Sequence, residues 1–346
     1  MNNIHKIIPN ENNFFFARKK MEIEYERWSM VQFILHKNTN NIKDKKQEYE
    51  MKNILERFFM LITNNQITQP NYSDVFPAEI SNREIQVIKS ELIEKKFKPF
   101  FAENVIIDLQ INLDRFARLR ETIKYTYKYF FNAGTLNYGH FSFTIPPARM
   151  AKLIKMGGEH SVIKMLLRYA SILEGSQHWH VPEEVYRKID VLHHIDIEGF
   201  ASPINSQMVL LRDEPKFCSI FADTDSIFGS QGSFFNYDFI GKTATAFTPY
   251  VPDLLEKIRD KLLATFENAR GAKTTIFVGL PAWYDAKYVK DLLESKWTKK
   301  ISKYGPGKSY FRDREDKKIQ AYFANAWIVM STETADWEFM DTLFDD

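Results

Sequence analysis

Three short polar segments in the second half of the chain carry side chains that could hold a ligand. They are Ser202-Pro203-Ile204-Asn205, Asp223-Thr224-Asp225 and Thr248-Pro249-Tyr250. Each follows an apolar run, which predicts a buried strand immediately before it. Because loops that follow parallel strands meet at one edge of a sheet, we expect these hydroxyl, amide and carboxylate groups to lie near one another. The stretch from Glu198 to Tyr250 is therefore predicted to form a ligand-binding edge.

A second candidate for chemistry is the basic and aromatic segment Lys296–Lys318. It carries nine Lys or Arg residues against three acids, with aromatic residues between them. Gly305 and Gly307 predict a mobile loop, and such a loop could contact an RNA backbone and stack on its bases. An ordinary solvated surface loop explains the same composition equally well. The candidate RNA-binding residues are Lys296, Lys299, Lys300, Lys303, Lys308 and Arg312.

Two other patterns are weaker. His178-Trp179-His180 and His193-His194 could suggest a metal, but no Cys or acid stands at ligand spacing nearby, so solvated or core histidines are predicted. Gly305-Pro306-Gly307-Lys308-Ser309 is similar to a phosphate-binding loop. However, Ser302 stands where that pattern needs its first glycine. We predict no metal site and no phosphate loop.

The elements that must position these groups fall into two parts. Helical spacing marks Met21–His36, Tyr49–Thr63 and Val105–Phe131, and a turn-rich connection covers Asn132–Pro147. We predict a helical domain over residues 1–150 that binds RNA or a partner. Arginines and tyrosines in the last of these helices could clamp phosphates, although a solvated basic face above an aromatic core face is favoured about two to one.

Residues 151–346 are predicted to form a second domain of a different kind. Helices are expected over Ala148–Leu173, broken at Gly157-Gly158, over Pro182–Ile189 and over Pro252–Ala269. Short β-branched or aromatic runs between them predict strands, and the alternation is the βαβ pattern of a mostly parallel sheet. The predicted strands are Ile195–Phe200, Phe217–Ala222, Ala244–Phe247, Thr274–Leu280 and Ile319–Met330.

Composition limits the class of protein. The 346 residues are 44% hydrophobic and 27% charged, which is ordinary for a soluble globular chain. A net charge of +2 means that any basic surface must be local. The one cysteine, Cys218, excludes an internal disulfide and permits a reducing compartment. No apolar run approaches the roughly 18 residues of a membrane helix, and the first residues lack a signal-peptide core. We expect a soluble intracellular protein with no membrane partner.

The polar segments and their order resemble a known family. Phe200-Ala201-Ser202-Pro203-Ile204-Asn205, Phe217-Cys218-Ser219 with Phe221, Asp223-Thr224-Asp225 and Phe228-Gly229-Ser230 occur in the order and spacing of the phosphorylated-CTD-interacting-factor family. That family consists of cap-specific adenosine N6-methyltransferases that use S-adenosylmethionine. The resemblance covers about residues 150 to 332. The upstream and downstream segments that extend it are Leu167-Arg168-Tyr169, Glu174–Val185, Ile276–Trp283 and Gln320–Met330.

The resemblance implies a fold, a cofactor and a set of residues. It implies an α/β, Rossmann-like methyltransferase domain behind a mostly α-helical domain, with S-adenosylmethionine as cofactor and RNA, including capped mRNA, as substrate. It implies cofactor-binding roles for the residues of two of the polar segments. These residues are Phe200, Ala201, Ser202, Pro203, Asn205, Asp223 and Asp225. From the residues alone, Phe200 could equally be plain core, and the two acids could serve as turn caps.

The catalytic motif of the family is altered in this chain. Where the family has Asn-Pro-Pro-Phe, the sequence has Phe247, Thr248, Pro249 and Tyr250. The exocyclic amine of adenine is a poor nucleophile, so a side-chain oxygen and a carbonyl must direct its lone pair while an aromatic ring holds the base. Pro249 and Tyr250 fit these roles, but Phe247 offers no acceptor. Losing such a partner typically costs about 10²–10³ in rate.

The sequence therefore leaves alternative functions. The first is an RNA adenosine methyltransferase, cap-proximal, in which Tyr250 holds the base. The second is a catalytically inactive subunit that keeps the fold and binds RNA or an active protein partner. A weaker third is methyl transfer to another acceptor such as a ribose hydroxyl, which would need a general base that does not stand out in the sequence.

Overall fold

The protein is described from a computed structural model that covers residues 11–40, 42–55, 82–119, 128–171 and 178–345. The chain divides into two compact units. One unit comprises Met1–Phe143 with Gly157–Glu174, and the other comprises Thr144–Met156 with Gly175–Asp346. None of the helices in the described ranges is both long and apolar enough to cross a bilayer.

The first unit begins with helices. They are α1 (Glu11–Thr39), α2 (residues 45–55), α3 (Asn82–Glu94) and α4 (Pro99–Leu119). The Lys37 ammonium lies 2.6 Å from an Asp108 carboxylate oxygen, which links α1 to α4. Deeper in the unit, the guanidinium of buried Arg168 pairs with the buried Glu24 carboxylate. The helical pattern predicted over 21–36 is confirmed, whereas the arginines and tyrosines of 115–127 lie outside the described side chains.

The same unit contains an antiparallel sheet that the sequence did not predict. Its strands are β1 (Tyr129–Asn132), β2 (Thr135–Tyr138) and β3 (Phe141–Thr144), in the order β1-β2-β3. The prediction that a helix reaches Phe131, followed by a turn-rich connection, is therefore wrong. Alternate residues of β3 are buried, which is strand periodicity, and positive φ values at Gly134 and Gly139 supply the tight turns.

One helix contributes residues to both units. α5 (Pro147–Ala170) contains a non-helical residue, Gly158, with φ 75° and ψ 164°. This is the break predicted at Gly157-Gly158. Residues 147–156 belong to the second unit and residues 157–170 to the first.

The second unit is an α/β structure, as predicted, but its five-stranded sheet is mixed and not mostly parallel. After α6 (Glu183–His193) come β4 (Ile197–Glu198), the short helices α7 (Met208–Leu211) and α8 (Ala222–Asp225), and β5 (Thr243–Phe247). They are followed by α9 (Pro252–Asn268), β6 (Thr275–Pro281), α10 (Lys287–Leu293) and β7 (Thr298–Tyr304). The chain then forms β8 (Tyr310–Arg312), β9 (Lys318–Gln320) and β10 (Asn325–Ser331).

The order of the main sheet is β4-β5-β6-β10-β7. β4, β5 and β6 are parallel, and β10 pairs antiparallel with both β6 and β7. Beyond β4, single parallel bridges join Glu198 to Phe217 and Phe217 to Ser230. From β4 the chain therefore moves outward through residues 217 and 230 and then returns to the other side of β4 to form β5.

The core of this unit explains why the sheet forms. All seven residues of β6 and all seven of β10 are buried, as expected for central strands covered on both faces. α9 presents Leu254, Ile258, Leu262 and Phe266 as one buried stripe. The C-terminal segment also joins the core, because Trp337, Met340 and Leu343 pack in the same cluster as Phe277 and Trp327.

Three details differ from the sequence prediction. The run Phe217–Ala222 forms only a single bridge at Phe217 before α8 begins. The run Ile319–Met330 is divided between β9 and β10. The segment 296–318, predicted as a mobile loop, contains the strands β7 and β8, and Gly305 and Gly307 lie in the turn between them.

Candidate active site

The predicted ligand edge lies where the strand order reverses. The chain leaves β4 towards Phe217 on one side and returns to β5 on the other, which makes the carboxyl ends of β4 and β5 a topological switch point. Open α/β sheets bind ligands in the crevice at such a point. Two segments border it. After the roles that the family resemblance implies for them, we call residues 199–207, after β4, the cofactor loop and residues 247–250, at the end of β5, the acceptor turn.

The cofactor loop is folded by its own side chains. The amide and the hydroxyl of Ser202 both donate to the Asn205 side-chain oxygen, at 2.7 and 2.9 Å. The Asn205 amide in turn donates to the Ser202 carbonyl at 3.2 Å. The side-chain nitrogen of Asn205 has no acceptor among the described residues. The loop thus holds a polar donor at the switch point, and the buried side-chain oxygen of Gln207 also has no hydrogen-bond partner among the described residues.

A buried carboxylate stabilises the start and the end of this loop. Glu198 is 4% exposed, and its carboxylate accepts hydrogen bonds from the Tyr186 hydroxyl at 2.6 Å and the Ser206 hydroxyl at 2.7 Å. It also accepts the Gln207 amide at 2.9 Å. Burial raises the pKa of Glu198 above its ordinary value, against the opposing effect of these donors.

Arg149, on α5, holds the same loop from another direction. Its guanidinium donates to the Ser206 carbonyl at 2.5 Å and lies 3.5 Å from the Pro203 carbonyl oxygen. Arg149 is 2% exposed, and burial lowers its pKa to about 10, while Glu198 interacts with it favourably. Sequence reasoning missed both Arg149 and Glu198 as site residues. An arginine in a helix gives no local sign that its partner is a loop more than 50 residues away.

Aromatic packing completes the base of the cofactor loop. The Phe200 ring stacks on Phe234 with centroids 4.2 Å apart. Gly199 must be glycine, since a Cβ there would lie 2.7 Å from the Thr245 carbonyl oxygen and 3.0 Å from the Phe234 ring. The Ala201 amide donates to the Cys218 carbonyl at 3.0 Å. Burial raises the pKa of the Cys218 thiol to about 12, so this cysteine stays protonated.

The two predicted acids have different environments. Asp223 lies at the start of α8 and is exposed. Asp225 is fully buried and accepts a hydrogen bond from the Thr224 hydroxyl at 2.7 Å. Asp225 is therefore part of the buried packing, whereas the Asp223 side chain is exposed to solvent.

In the acceptor turn, Phe247 points towards the core. Its ring centroid lies 4.6 Å from Trp327 and 5.3 Å from Tyr186. A Cβ at Gly279 would lie 2.9 Å from the Phe247 ring, so the neighbouring strand leaves space for this ring. The position where the family has a polar residue is thus occupied by a packed hydrophobic side chain.

The next residues of the turn keep some polar character. The Thr248 hydroxyl donates to the Gly279 carbonyl at 2.8 Å. Because its hydrogen is committed there, the hydroxyl oxygen can act towards a ligand only as an acceptor. The Pro249 carbonyl accepts the Val251 amide at 2.9 Å, and α9 begins directly afterwards. Burial raises the pKa of Tyr250, which keeps this phenol neutral.

Tyr250 joins further aromatic residues at this end of the sheet. Its ring centroid lies 5.6 Å from Phe323 and 6.2 Å from Trp283. Phe323 contacts Phe311 and Tyr322, and both of these contact Trp179. Sequence reasoning found Trp283 only through the family resemblance. The grouping of the others was not predicted, because Trp179, Phe311 and the pair Tyr322-Phe323 come from three separate segments.

The predicted RNA-binding residues differ in their surroundings. Lys300 pairs with Glu338 and Asp341 at 2.7 and 2.6 Å, and Arg312 pairs with Glu184 at 3.0 Å. Lys296 lies 4.9 Å from the centroid of the Trp297 ring. Lys299, Lys303 and Lys308 are exposed and form no ion pair with any residue that the structure describes.

His180 and His193 pack against other side chains, and Nδ1 of His180 is buried without a hydrogen-bond partner among the described residues. His180 Nε2 lies 3.6 Å from an Asp316 carboxylate oxygen, and burial lowers the pKa of His180. The His193 ring stacks between Trp337 and Phe339, with centroids 4.6 and 5.3 Å away. Within the described ranges, no group of three or more His, Cys, Asp or Glu residues is placed to hold a metal ion.

Comparison with known families supports the resemblance drawn from the sequence. A family model described as the phosphorylated CTD interacting factor 1 WW domain matches residues 155–314. The matched range includes the cofactor loop, the acceptor turn, α9, β6 and β7. The predicted resemblance to the phosphorylated-CTD-interacting-factor family is thus confirmed over these residues.

Proposed function

We propose that the protein is a methyltransferase-like RNA-binding protein that uses S-adenosylmethionine and receives an adenosine of RNA at the acceptor turn. One observation carries the proposal. The two segments that resemble the family's cofactor and catalytic motifs border the same switch point, on adjacent parallel strands. A Rossmann-like methyltransferase fold requires that arrangement, because cofactor and acceptor must meet at one sheet edge.

The residues of the cofactor loop fit the proposed cofactor. S-adenosylmethionine supplies an electrophilic methyl group and presents a carboxylate, an ammonium group, ribose hydroxyls and an adenine edge. The side-chain nitrogen of Asn205 is suited to donate to the carboxylate, and the exposed Asp223 carboxylate is suited to accept the ribose hydroxyls. The buried Arg149–Glu198 network keeps the loop in one conformation, which reduces the cost of ordering it on binding.

The acceptor turn would hold the base and orient its amine. The Tyr250 ring, in the position of the family's final aromatic residue, can stack on adenine. The Thr248 hydroxyl oxygen, one residue after the altered position, is the candidate side-chain acceptor, since its hydrogen is already donated to the Gly279 carbonyl. In the reaction the nitrogen–carbon bond forms as the sulfur–carbon bond breaks, and the amine releases one proton to water.

A second function is favoured by the packing of Phe247. Its ring fills core space between Tyr186 and Trp327 and offers no hydrogen-bond acceptor. A protein with this turn could bind cofactor and RNA without transferring the methyl group, as an inactive subunit beside an active partner. The description of the matching family as CTD-interacting makes a protein partner a reasonable expectation. The first function, methyl transfer to RNA, includes a dependence of the reaction on the mRNA cap.

Transfer of labelled methyl from S-adenosylmethionine to capped and uncapped RNA beginning with adenosine tests the two functions. Wild-type protein is compared with Thr248→Val, which removes the candidate acceptor at nearly constant volume. If Thr248 orients the amine, this variant loses about 10²–10³ of the rate. An active wild-type protein excludes the inactive-subunit function.

Restoring the family residue at position 247 tests whether the altered motif itself removes activity, and a control variant accounts for the loss of the packed ring. Phe247→Asn supplies a side-chain oxygen but removes a packed ring, so Phe247→Leu serves as the matched control without an acceptor. Activity gained by the Asn variant alone would mean that the altered motif silenced the enzyme. Inactivity of all three proteins on every RNA would contradict the methyl-transfer proposal.

A further inference from the structure

An exposed aromatic and basic strip leads away from Tyr250 across the end of the sheet. Trp283, 6.2 Å from Tyr250 between ring centroids, is 41% exposed, and the adjacent Tyr284 is 37% exposed. The Lys303 ammonium lies 4.8 Å from the Tyr284 ring centroid. Neighbouring exposed aromatic rings next to a ligand site indicate a binding surface, whereas single exposed apolar residues scattered over a protein do not. We call Trp283, Tyr284, Lys303 and Lys299 the exit strip.

The register of the sheet fixes the direction of this strip. Ala326 pairs with Leu280 on one side and with Lys303 on the other. Strands are about 4.8 Å apart, so the Lys303 backbone lies about 10 Å from β6. Lys303 is on β7, the last strand of the sheet. The strip therefore runs from the acceptor turn over the carboxyl end of β6 to the sheet edge.

Strand alternation separates the lysines of β7 into two sets. Lys299, Ile301 and Lys303 are exposed, whereas Lys300, Ser302 and Tyr304 contact the C-terminal segment. Lys300 is neutralised by Glu338 and Asp341. Lys299 and Lys303 have no acidic partner within the described ranges. Lys303 lies beside the Tyr284 ring, and Lys299 lies four residues earlier on the same exposed face of β7, so both lysines are available for an external anion.

The geometry points to a specific occupant, and this inference rests on the proposed function. We propose that the single-stranded RNA segment adjoining the acceptor nucleotide leaves the site along the exit strip. The neighbouring base stacks on Trp283, and its phosphates lie against Lys303 and Lys299. Aromatic platforms beside unpaired cations are the combination that binds single strands with little sequence preference.

The other aromatic residues near Tyr250 offer a less favourable path for the RNA segment. Phe323, Phe311 and Trp179 contact one another in a chain, and the nearby Arg312 is already paired with Glu184. Tyr322, at 74%, is the most exposed residue there. This surface offers rings but no available cation among the named residues. Tyr322 therefore provides a matched control, since it is an exposed aromatic residue that contacts Trp179 and Phe323 and lies outside the exit strip.

Fluorescence anisotropy with labelled ten-nucleotide single-stranded RNAs tests the exit strip in the full chain. One RNA has adenosine at its 5′ end and the other at its 3′ end, so that the two extend from the acceptor in opposite directions. Trp283→Ala is expected to weaken one of them roughly 5- to 150-fold, the range of stacking on one base. Trp283→Phe should retain most of the affinity, and Tyr322→Ala should change it less than twofold.

The salt dependence of binding tests the lysines separately. Each phosphate contact to a single strand contributes about 0.7 to the slope of log affinity against log salt. The double variant Lys299→Gln/Lys303→Gln should therefore reduce the slope by about 1.4, whereas Trp283→Ala should leave it unchanged. Circular dichroism and thermal midpoints of each variant establish that it is folded.

The outcomes separate this inference from the proposed function. Unchanged RNA affinity in both Trp283→Ala and the lysine double variant would overturn the exit-strip inference. A loss of affinity in Tyr322→Ala equal to that in Trp283→Ala would also overturn it. The same holds if the wild-type protein does not bind the RNA. Methyl transfer that is insensitive to Trp283 would leave the proposed function intact and exclude the strip. Binding that depends on Trp283 without any methyl transfer would support the strip and leave the protein an RNA-binding subunit.

Discussion

The cofactor loop and the acceptor turn border the same switch point but are built in opposite ways. The cofactor loop is held by a polar network in which Glu198 and Arg149 are both buried. The acceptor turn is held by ring packing, because Phe247 lies between Tyr186 and Trp327. A buried polar network is costly unless it is fully bonded, whereas a packed aromatic ring stabilises the fold directly.

This contrast bears on how the site functions. A loop fixed by charged groups retains a conformation suited to a polar ligand, at some cost to stability. At the turn, the family's polar residue has been replaced by a side chain that contributes to the core. In the proposed function, the first segment therefore binds the ligand and the second is the place where an altered chemistry is expected. Tyr186 links the two, since it contacts both Glu198 and Phe247.

The largest effect is expected from breaking the polar network. Arg149→Met should lower the free energy of unfolding by about 3–5 kcal/mol, because it leaves the Glu198 carboxylate buried without its favourable charge. It also removes the donor to the Ser206 carbonyl. Guanidinium unfolding followed by tryptophan fluorescence measures the change.

A matched arginine provides the control for that experiment. Arg187 forms an exposed ion pair with Glu183 one helical turn away. Arg187→Met should cost less than about 1 kcal/mol. Similar losses of unfolding free energy in Arg149→Met and Arg187→Met would mean that the buried network stabilises the second unit no more than an exposed ion pair does.

The next effect concerns the ring in the acceptor turn. Phe247→Ala should destabilise the protein by up to about 3 kcal/mol, since a large side chain is removed from partly buried packing. Phe247→Leu should cost about 1 kcal/mol. If the two segments are independent, calorimetry should find that Phe247→Leu binds S-adenosylmethionine as wild type does. A large loss of affinity would contradict that separation.

A smaller effect is expected at the residue that links the segments. Tyr186→Phe removes the hydroxyl that donates to Glu198 and keeps the ring that contacts Phe247. The loss should be about 1–3 kcal/mol, the cost of leaving a buried acceptor with one donor fewer. Tyr322→Phe removes an exposed hydroxyl and should change the thermal midpoint little.

The smallest predicted effect is a pH dependence outside the site. Burial lowers the pKa of His193 below its ordinary value of 6.5, with an opposing effect from Glu333. The unfolded chain therefore takes up a proton more readily, and the stabilising contribution present above pH 6.5 is lost as the pH falls through the folded pKa. Thermal midpoints at pH 7.5 and 5.5 should differ less in His193→Phe than in wild type, and equal differences would contradict this account.

Much of the second unit was predictable from the sequence. β5, the turn at Thr248-Pro249 and α9 follow from an apolar run, a proline and a four-residue repeat, all of which are local signals. The antiparallel sheet of the first unit was not predicted. The run Tyr129-Phe130-Phe131 continues the apolar spacing of a helix and belongs to a strand only because Leu136 and Phe141 provide neighbouring strands.

The candidate site divides in the same way. Its linear segments were visible because their residues are consecutive, as in Phe200–Asn205. The groups that support them were not visible, since Arg149, Tyr186 and Ser206 come together only through tertiary structure. The inward direction of Phe247 likewise depends on the space beside Gly279. Sequence pattern thus identified which residues border the site, and the structure shows what holds them.

Titration calorimetry of S-adenosylmethionine with wild type and Asn205→Asp tests the central claim most directly. The aspartate keeps an oxygen that can accept both hydrogen bonds from Ser202, but it loses the side-chain donor and adds a charge that repels the cofactor carboxylate. The account predicts that wild type binds and that Asn205→Asp binds at least about tenfold more weakly. Equal affinities, or no binding by wild type at millimolar cofactor, would contradict it.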